Sequence, residues 1–170
     1  MTPFAIHTAA SRRDAVIISR HIAEIWHDAV GDAYCEKMHD HISRFRDGYL
    51  IGYLSGKPVA SSIAFPLGRI PDFEEINTGN IFDFFQAGSE YYYIHIIQVL
   101  EKYRNRGYGI RLLRHQIDTA RKYRCREVIG MSVDRELPLW KRCGFKDFGE
   151  YGTYRHYGRM KWARQVLSPK

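Results

Sequence analysis

Cysteine is scarce in this chain of 170 residues: only Cys35, Cys125 and Cys143, widely spaced and without a CxxC pair or a histidine cluster beside them. An odd, scattered set of this kind argues against a disulfide framework and against a zinc site, and it fits a reducing compartment. Long apolar runs are lacking too, and none approaches the roughly 20 residues that a membrane-crossing helix needs. The opening MTPFAIHTAASRR has neither the early positive charge nor the apolar stretch of a signal peptide. These absences predict a cytoplasmic protein. Flexible linkers, low-complexity tracts and internal repeats are also missing, so the expected organisation is a single domain over residues 1–170.

Positive charge is missing from one stretch, and negative charge is scarce in the next. From Ile70 to Glu101 the chain has Asp72, Glu74, Glu75, Asp83, Glu90 and Glu101 but no lysine or arginine. From Lys102 to Arg126 basic residues recur against the single acid Asp118. The net charge of +7 favours an anionic partner, and nucleic acid, a membrane surface and a phosphorylated cofactor all satisfy it equally.

Patterning orders the elements. FAIHTA reads as a short edge strand. Ile18, Ile22, Ile25 and Ala29 recur at helical spacing behind the start signals Ser11 and Asp14, with Gly31 expected to end that helix. Tyr34, Met38, Ile42 and Phe45 mark one face of a second helix that stops at Asp47 and Gly48. GYLIGYLSGKPVASSIAFPLG reads as a hairpin around a turn from Ser55 to Pro58. The acidic, aromatic connection RIPDFEEINTGNIFDFFQAGSE carries an expected helical turn around Ile81 to Gln86, and connections this long are commonly functional. YYYIHIIQV is a near-continuous apolar run, as a central strand covered on both faces requires. From Tyr108 the positions Ile110, Leu113, Ile117 and Ala120 mark a helix whose outer face is basic. EVIGMSV is a second buried-type strand, Pro138 opens a short helix that stops at Gly144, and FKDFGEY with TYRHYGRMKW makes an antiparallel pair. This order implies an α/β sheet of mixed direction with helices on both faces.

The segment Arg104-Asn105-Arg106-Gly107-Tyr108-Gly109 lies where a strand gives way to a helix. Free backbone N–H groups point outward from the positive end of a helix there, glycine lets a phosphate come close, and arginine adds charge and forked donors. Taken alone, the turn fits either relief of backbone strain or a phosphate site. It is not a Walker motif, since no Gly-Lys-Ser/Thr follows, and it is not GxGxxG.

The combination resembles the GNAT superfamily of acyl-CoA-dependent N-acyltransferases, whose signature Gln/Arg-x-x-Gly-x-Gly/Ala follows a central strand. Val99, Tyr103, Ile110 and Leu112-Leu113 match its flanks, and Leu139-Trp140-Lys141-Arg142-Cys143-Gly144-Phe145 matches a second landmark, LYxxxGF. The clear likeness runs from about Glu90 to Phe148. It implies a mixed, mostly antiparallel central sheet and acetyl-CoA as co-substrate, with no metal. By the same resemblance, backbone N–H groups from Arg106 to Gly109 hold the pyrophosphate beside Arg104 and Asn105. Ile97, Gln98 and Val99 pair with the pantetheine amides, and one N–H near Val99 serves the thioester carbonyl. The implied reaction is direct attack by a neutral primary amine, without a covalent enzyme intermediate.

The chain departs from that pattern where Trp140 replaces the tyrosine of LYxxxGF, which in the family protonates the leaving thiolate. An indole N–H is a negligible proton source. Tyr151, Tyr154 and Tyr157 on the last strands are the alternatives, with Tyr154 chosen here, unless the thiolate leaves without help. Asp134 stands in the region of the family's usual asparagine, as a substitute contact or a plain strand-end residue. His95, with an ordinary pKa near 6.5, is the first choice of base and Glu90 the second, with Glu101 in the following loop and a water chain as the other routes. The acidic segment from Asp72 to Glu90 would attract a cationic amine, with Phe82, Phe84 and Phe85 binding an apolar portion. Two other functions compete: a catalytically silent acyl-CoA sensor, and a nucleic-acid binder built on Arg111 to Arg126. Against the latter stand the solvated-face spacing of Arg111, Arg114 and Arg121 and the lack of a helix-turn-helix or RNA-binding signature. The expected assembly is a monomer or homodimer.

Overall fold

The chain enters as a strand, β1 (Phe4–Thr8), and turns into helix α1 (Arg12–Trp26) through a reciprocal cap. Ser11 Oγ accepts from the Asp14 N–H at 3.3 Å, while Asp14 Oδ2 accepts from the Ser11 N–H at 3.0 Å, so donors that the helix itself leaves unmet are satisfied. The coordinates are a computed structural model that describes residues 3–27, 31–70, 81–154 and 158–167, with the backbone alone for residues 151 and 154. Gly31 does not end α1. The helix closes at Trp26 with His27 left-handed at φ 51°, and Gly31 instead caps the start of α2 (Asp32–Arg44). Glycine is favoured at both kinds of helix end, which is why its position alone misassigned the boundary.

Strands β2 (Tyr49–Leu54) and β3 (Lys57–Leu67) form the expected hairpin, but its turn is only Ser55 and Gly56. Both have positive φ, 52° and 75°, the twist that two-residue hairpin turns favour, and Lys57 and Pro58 already pair with Leu54 and Tyr53. After a 3-10 turn at Ile81–Phe84 come β4 (Tyr91–Val99), α3 (Tyr108–Lys122), β5 (Glu127–Val133), α4 (Leu137–Arg142), β6 (Asp147–Tyr154) and β7 (Gly158–Val166). The seven strands make one sheet in the order β1-β2-β3-β4-β5-β7-β6. The pairs β1/β2, β2/β3, β5/β7 and β6/β7 are antiparallel, and β4/β5 is parallel. The sheet is therefore mixed and mostly antiparallel, as expected, with FAIHT at one edge and YYYIHIIQV in the middle.

The chain divides into two compact units, one of Met1–Ala64 with Ile96–His115 and the other of Phe65–His95 with Gln116–Lys170. In the first, Ser61 of β3 meets His21 of α1, whereas its neighbour Ala60 packs in a cluster with Leu112 of α3. Successive strand residues point to opposite faces, so α1 and α3 cover opposite sides of β3. In the second, fully buried Tyr92 donates to Gln116 Oε1 at 2.8 Å, which satisfies a phenol that burial would otherwise leave unpaired. Arg164 closes a two-pronged ion pair on Glu127, at 2.7 and 2.6 Å, between β7 and β5.

Candidate functional site

Backbone geometry dominates the turn after β4. The Leu100 N–H donates to the Val59 carbonyl at 3.0 Å and Arg104 Nε donates to the Val99 carbonyl at 3.1 Å, which fixes both sides of the strand end. Asn105 and Gly107 are left-handed, with φ 60° and 80°. The Gly107 carbonyl accepts the Arg111 N–H at 3.1 Å, so Gly107 is the residue from which α3 starts. It brings no side-chain acceptor, and the first turn of α3 holds no acid. The first N–H groups of the helix thus have no partner within it, and the positive end of its dipole is not offset by a carboxylate. Arg104 and Arg106 are exposed beside this turn, the latter with its guanidinium 5.8 Å from the Tyr103 ring. An anion is what such an arrangement accepts.

The side chains of the preceding strand residues are already engaged. Gln98 is 3% exposed and sits in a hydrogen-bond chain: Trp26 Nε1 donates to its Oε1 at 3.2 Å, and its Nε2 donates to Ser61 Oγ at 2.7 Å. Ser61 Oγ lies 3.0 Å from His21 Nδ1, and burial pushes the His21 pKa down, so the neutral ring completes the chain. Ile97 and Val99 pack against the cluster of Phe4, Leu50, Val59, Ala60 and Leu112. Gln98 is thus buried, while Ile97 and Val99 keep part of their side chains exposed. The chain through Trp26, Ser61 and His21 carried no signal in the sequence, because its members come together only where α1 meets the strands of Ser61 and Gln98.

In the second unit the parallel ladder runs from Tyr91–Glu127 to Ile94–Gly130 and ends there. Trp140 rests on that last pair: a Cβ added to Gly130 would lie 2.2 Å from the indole Cη2. Its ring meets Phe145 edge-on at 4.8 Å, it is 3% exposed, and among the described residues its Nε1 has no hydrogen-bond partner. His95 lies next along β4, with Tyr93 at 5.9 Å and Phe82 edge-on at 6.3 Å, and Phe65 backs both of those rings at 6.4 and 5.8 Å. Burial among these rings pushes the His95 pKa down to about 4. The ordinary value near 6.5 expected from the sequence does not hold, because desolvation penalises the imidazolium. Phe82 arrives on the 3-10 turn at Ile81–Phe84, the helical turn expected in the long connection. Phe84 instead lies under the Arg69 guanidinium, at 4.8 Å.

Other expected residues lie elsewhere. Glu90 precedes β4 and its carboxylate meets Arg126 Nη1 at 3.4 Å. Asp134 follows β5 and pairs with Lys161 Nζ at 3.0 Å, a strand-end contact. Tyr154 is the last residue of β6, with its side chain, like that of Tyr151, outside the description. Tyr157, Asp72, Glu74 and Glu75 lie outside the described residues. Among the described residues no group of histidine, cysteine and acid could hold a metal, and no helix is long and apolar enough to cross a membrane.

Comparison with known proteins bears on this geometry. A family model described as the acetyltransferase (GNAT) family matches residues 14–145, well over half of the chain. A comparison with curated protein sequences gave no match. Among solved structures, the loading GNATL domain of CurA from Lyngbya majuscula is similar at 12% identity, over 96% of this chain and 98% of that one, with a TM-score of 0.75. Naa50 of Arabidopsis thaliana, in complex with the bisubstrate analogue CoA-Ac-MVNAL, is similar at 16% identity over 96% and 99%, with a TM-score of 0.68. GphF, a GNAT-like decarboxylase in complex with isobutyryl-CoA, is similar at 14% identity over 96% and 100%, with a TM-score of 0.75. At such identities the structures share the fold, while the family model reaches across the turn at Gly107 and the Trp140 helix. The chain belongs to the acetyltransferase (GNAT) family, and with it to the acyltransferases.

Proposed function

We propose that the protein works as one domain over residues 1–170, transferring the acetyl group of acetyl-CoA to a primary amine on a small molecule or a peptide. The observation that carries this reading is the start of α3, where left-handed Gly107 opens an acid-free helix end beside Arg104 and Arg106. Backbone N–H groups from Arg106 through Tyr108 to Gly109 would bind the pyrophosphate, with Arg104 and Asn105 at its flank. Backbone groups of Ile97, Gln98 and Val99 would pair with the pantetheine amides. The Leu100 N–H is held by Val59, so the donor to the developing oxyanion is assigned to the strand residues before it. Naa50 was solved with an analogue joining CoA to a peptide, which supports an amine acceptor on this fold. GphF was solved with isobutyryl-CoA, so acetyl has to be tested against longer acyl groups.

His95 with a pKa of about 4 is neutral at neutral pH and keeps a lone pair, but it is a weak base. It fits an amine that arrives deprotonated and sheds its proton only as the new bond forms. Glu90, whose carboxylate meets Arg126, is the second choice of base. Tyr154 is assigned the proton that the departing thiolate takes up, and Trp140 a contact to the coenzyme. A cationic acceptor would be drawn by the acidic connection before β4. Free thiols at Cys35, Cys125 and Cys143 support a reducing, cytoplasmic setting.

The second reading, an acyl-CoA sensor without turnover, is favoured by Trp140, which occupies the landmark position with no transferable proton. The nucleic-acid reading is weakened by Arg111, which donates to the Phe4 carbonyl at 2.8 Å, and by Arg121, held by Asp118 at 2.8 Å. Calorimetric titration with acetyl-CoA, beside a Gly109→Trp variant, tests the proposal. Micromolar binding that the variant loses, followed by amine-dependent release of free CoA, is the expected outcome. No heat from folded protein would overturn it, and binding without turnover on any amine would select the sensor.

A further inference from the structure

We infer that Phe4 of β1 is a positioning residue for the coenzyme turn: its ring anchors Tyr108 and Arg111 and so fixes the first turn of α3 in the form that receives a phosphate. The inference rests on the acetyl-CoA site proposed above. The Phe4 ring lies flat on the Tyr108 ring, with centroids 4.2 Å apart and planes within 6°. The Arg111 guanidinium sits 4.7 Å from the centroid of the same Phe4 ring, and its Nη2 donates to the Phe4 carbonyl at 2.8 Å. Tyr108 and Arg111 stand three residues apart, on one face of the helix's opening turn. The far end of the ring abuts β2 at Gly52, where an added Cβ would lie 2.3 Å from Phe4 Cζ. Phe4 itself is 5% exposed within the cluster of Leu50, Val59, Ala60 and Leu112. One ring thus ties the start of α3 to the rigid sheet.

The need for such an anchor follows from the turn's own sequence. Gly107 and Gly109 flank Tyr108, and glycine has more conformational freedom to lose than any other residue. Helix ends fray, and a site built of backbone N–H groups binds tightly only when those groups are already in place. Between the two glycines only Tyr108 offers a ring for the sheet to hold, and Phe4 is what holds it. No motif contains Phe4, so the sequence gives no hint of this role.

The test compares three variants by calorimetry with acetyl-CoA and by steady-state kinetics. Phe4→Leu keeps an apolar side chain and the net charge but removes the flat face. Its Kd and KM for acetyl-CoA are expected to rise together by about 5-fold to 10-fold, as loss of a ring stack implies, with kcat changed less than about 2-fold. Met38→Ala, in the buried face of α2 and outside this cluster, is the control for lost stability: its Tm falls while its Kd holds. Arg111→Gln is expected to weaken binding more than Arg114→Gln, which removes the same charge from an exposed position on the same helix. If Phe4→Leu does not fold, the two arginine variants decide the matter, and equal losses in them overturn the inference. Wild-type binding that a folded Phe4→Leu retains unchanged overturns this inference and leaves the coenzyme site intact. Absence of wild-type binding overturns both.

Discussion

The turn around Gly107 and the ring cluster around His95 differ in what does the holding. At the turn, exposed backbone faces outward from a helix start, and the arginines add charge to a shape already set by two left-handed residues. At His95, side chains are packed ring against ring, and the packing itself changes the chemistry by pushing the histidine toward its neutral form. A backbone site depends on local conformation and is written in a short run of residues. A side-chain site depends on its surroundings, which are delivered from distant segments.

The sharpest way to break the comparison is to spoil the backbone. Gly107→Val places a β-branched residue at φ 80°, with nothing within 4 Å of the new Cβ to clash. Its effect is therefore conformational: about 1–2 kcal/mol of stability, read by urea unfolding, and acetyl-CoA affinity reduced at least about 100-fold. Unchanged affinity in a folded Gly107→Val protein would remove the turn from the site. In the ring-packed region the equivalent blow is steric. Gly130→Val drives a methyl into the Trp140 indole, and a loss of about 1–3 kcal/mol is expected from overpacking.

This contrast also explains how far the sequence could be read. The turn, the LWKRCGF helix and the order of elements along the chain were legible because glycine at a strand-to-helix junction and a buried run between turns have local causes. Gly31 misled because glycine suits either end of a helix, and a left-handed His27 closes α1 in its place. The base was less legible: His95 reads as an ordinary imidazole in sequence, and only the arrival of Phe82, Phe65 and Tyr93 shows that it cannot easily carry charge.

A finer probe of the ring cluster is pH. His95 and His41 are both pushed by burial from 6.5 down to about 4, so their neutral forms stabilise the fold. That contribution is complete above about pH 6.5 and is lost as pH falls through about 4, with a slope of up to about 1.4 kcal/mol per pH unit for each group. Urea unfolding from pH 7 to pH 4 should show this slope, and His95→Gln should make it shallower. If His95 takes the proton in catalysis, the acid limb of kcat lies near 4. A limb near 6.5 that His95→Gln abolishes would contradict the buried environment described here. The smallest effect is expected at the far end of β4, where Glu90→Gln loses the pair with Arg126 and less than about 1 kcal/mol. A drop in kcat beyond about tenfold would place Glu90 in the chemistry.

The most direct measurement is an amide NMR titration of the protein with acetyl-CoA, following the backbone N–H signals of Arg106, Gly107, Tyr108 and Gly109. The expected result is that these four move together, saturate at the calorimetric Kd, and gain protection from solvent exchange. Coenzyme binding that leaves them unmoved, while amides elsewhere shift, would contradict the placement of the pyrophosphate at the start of α3.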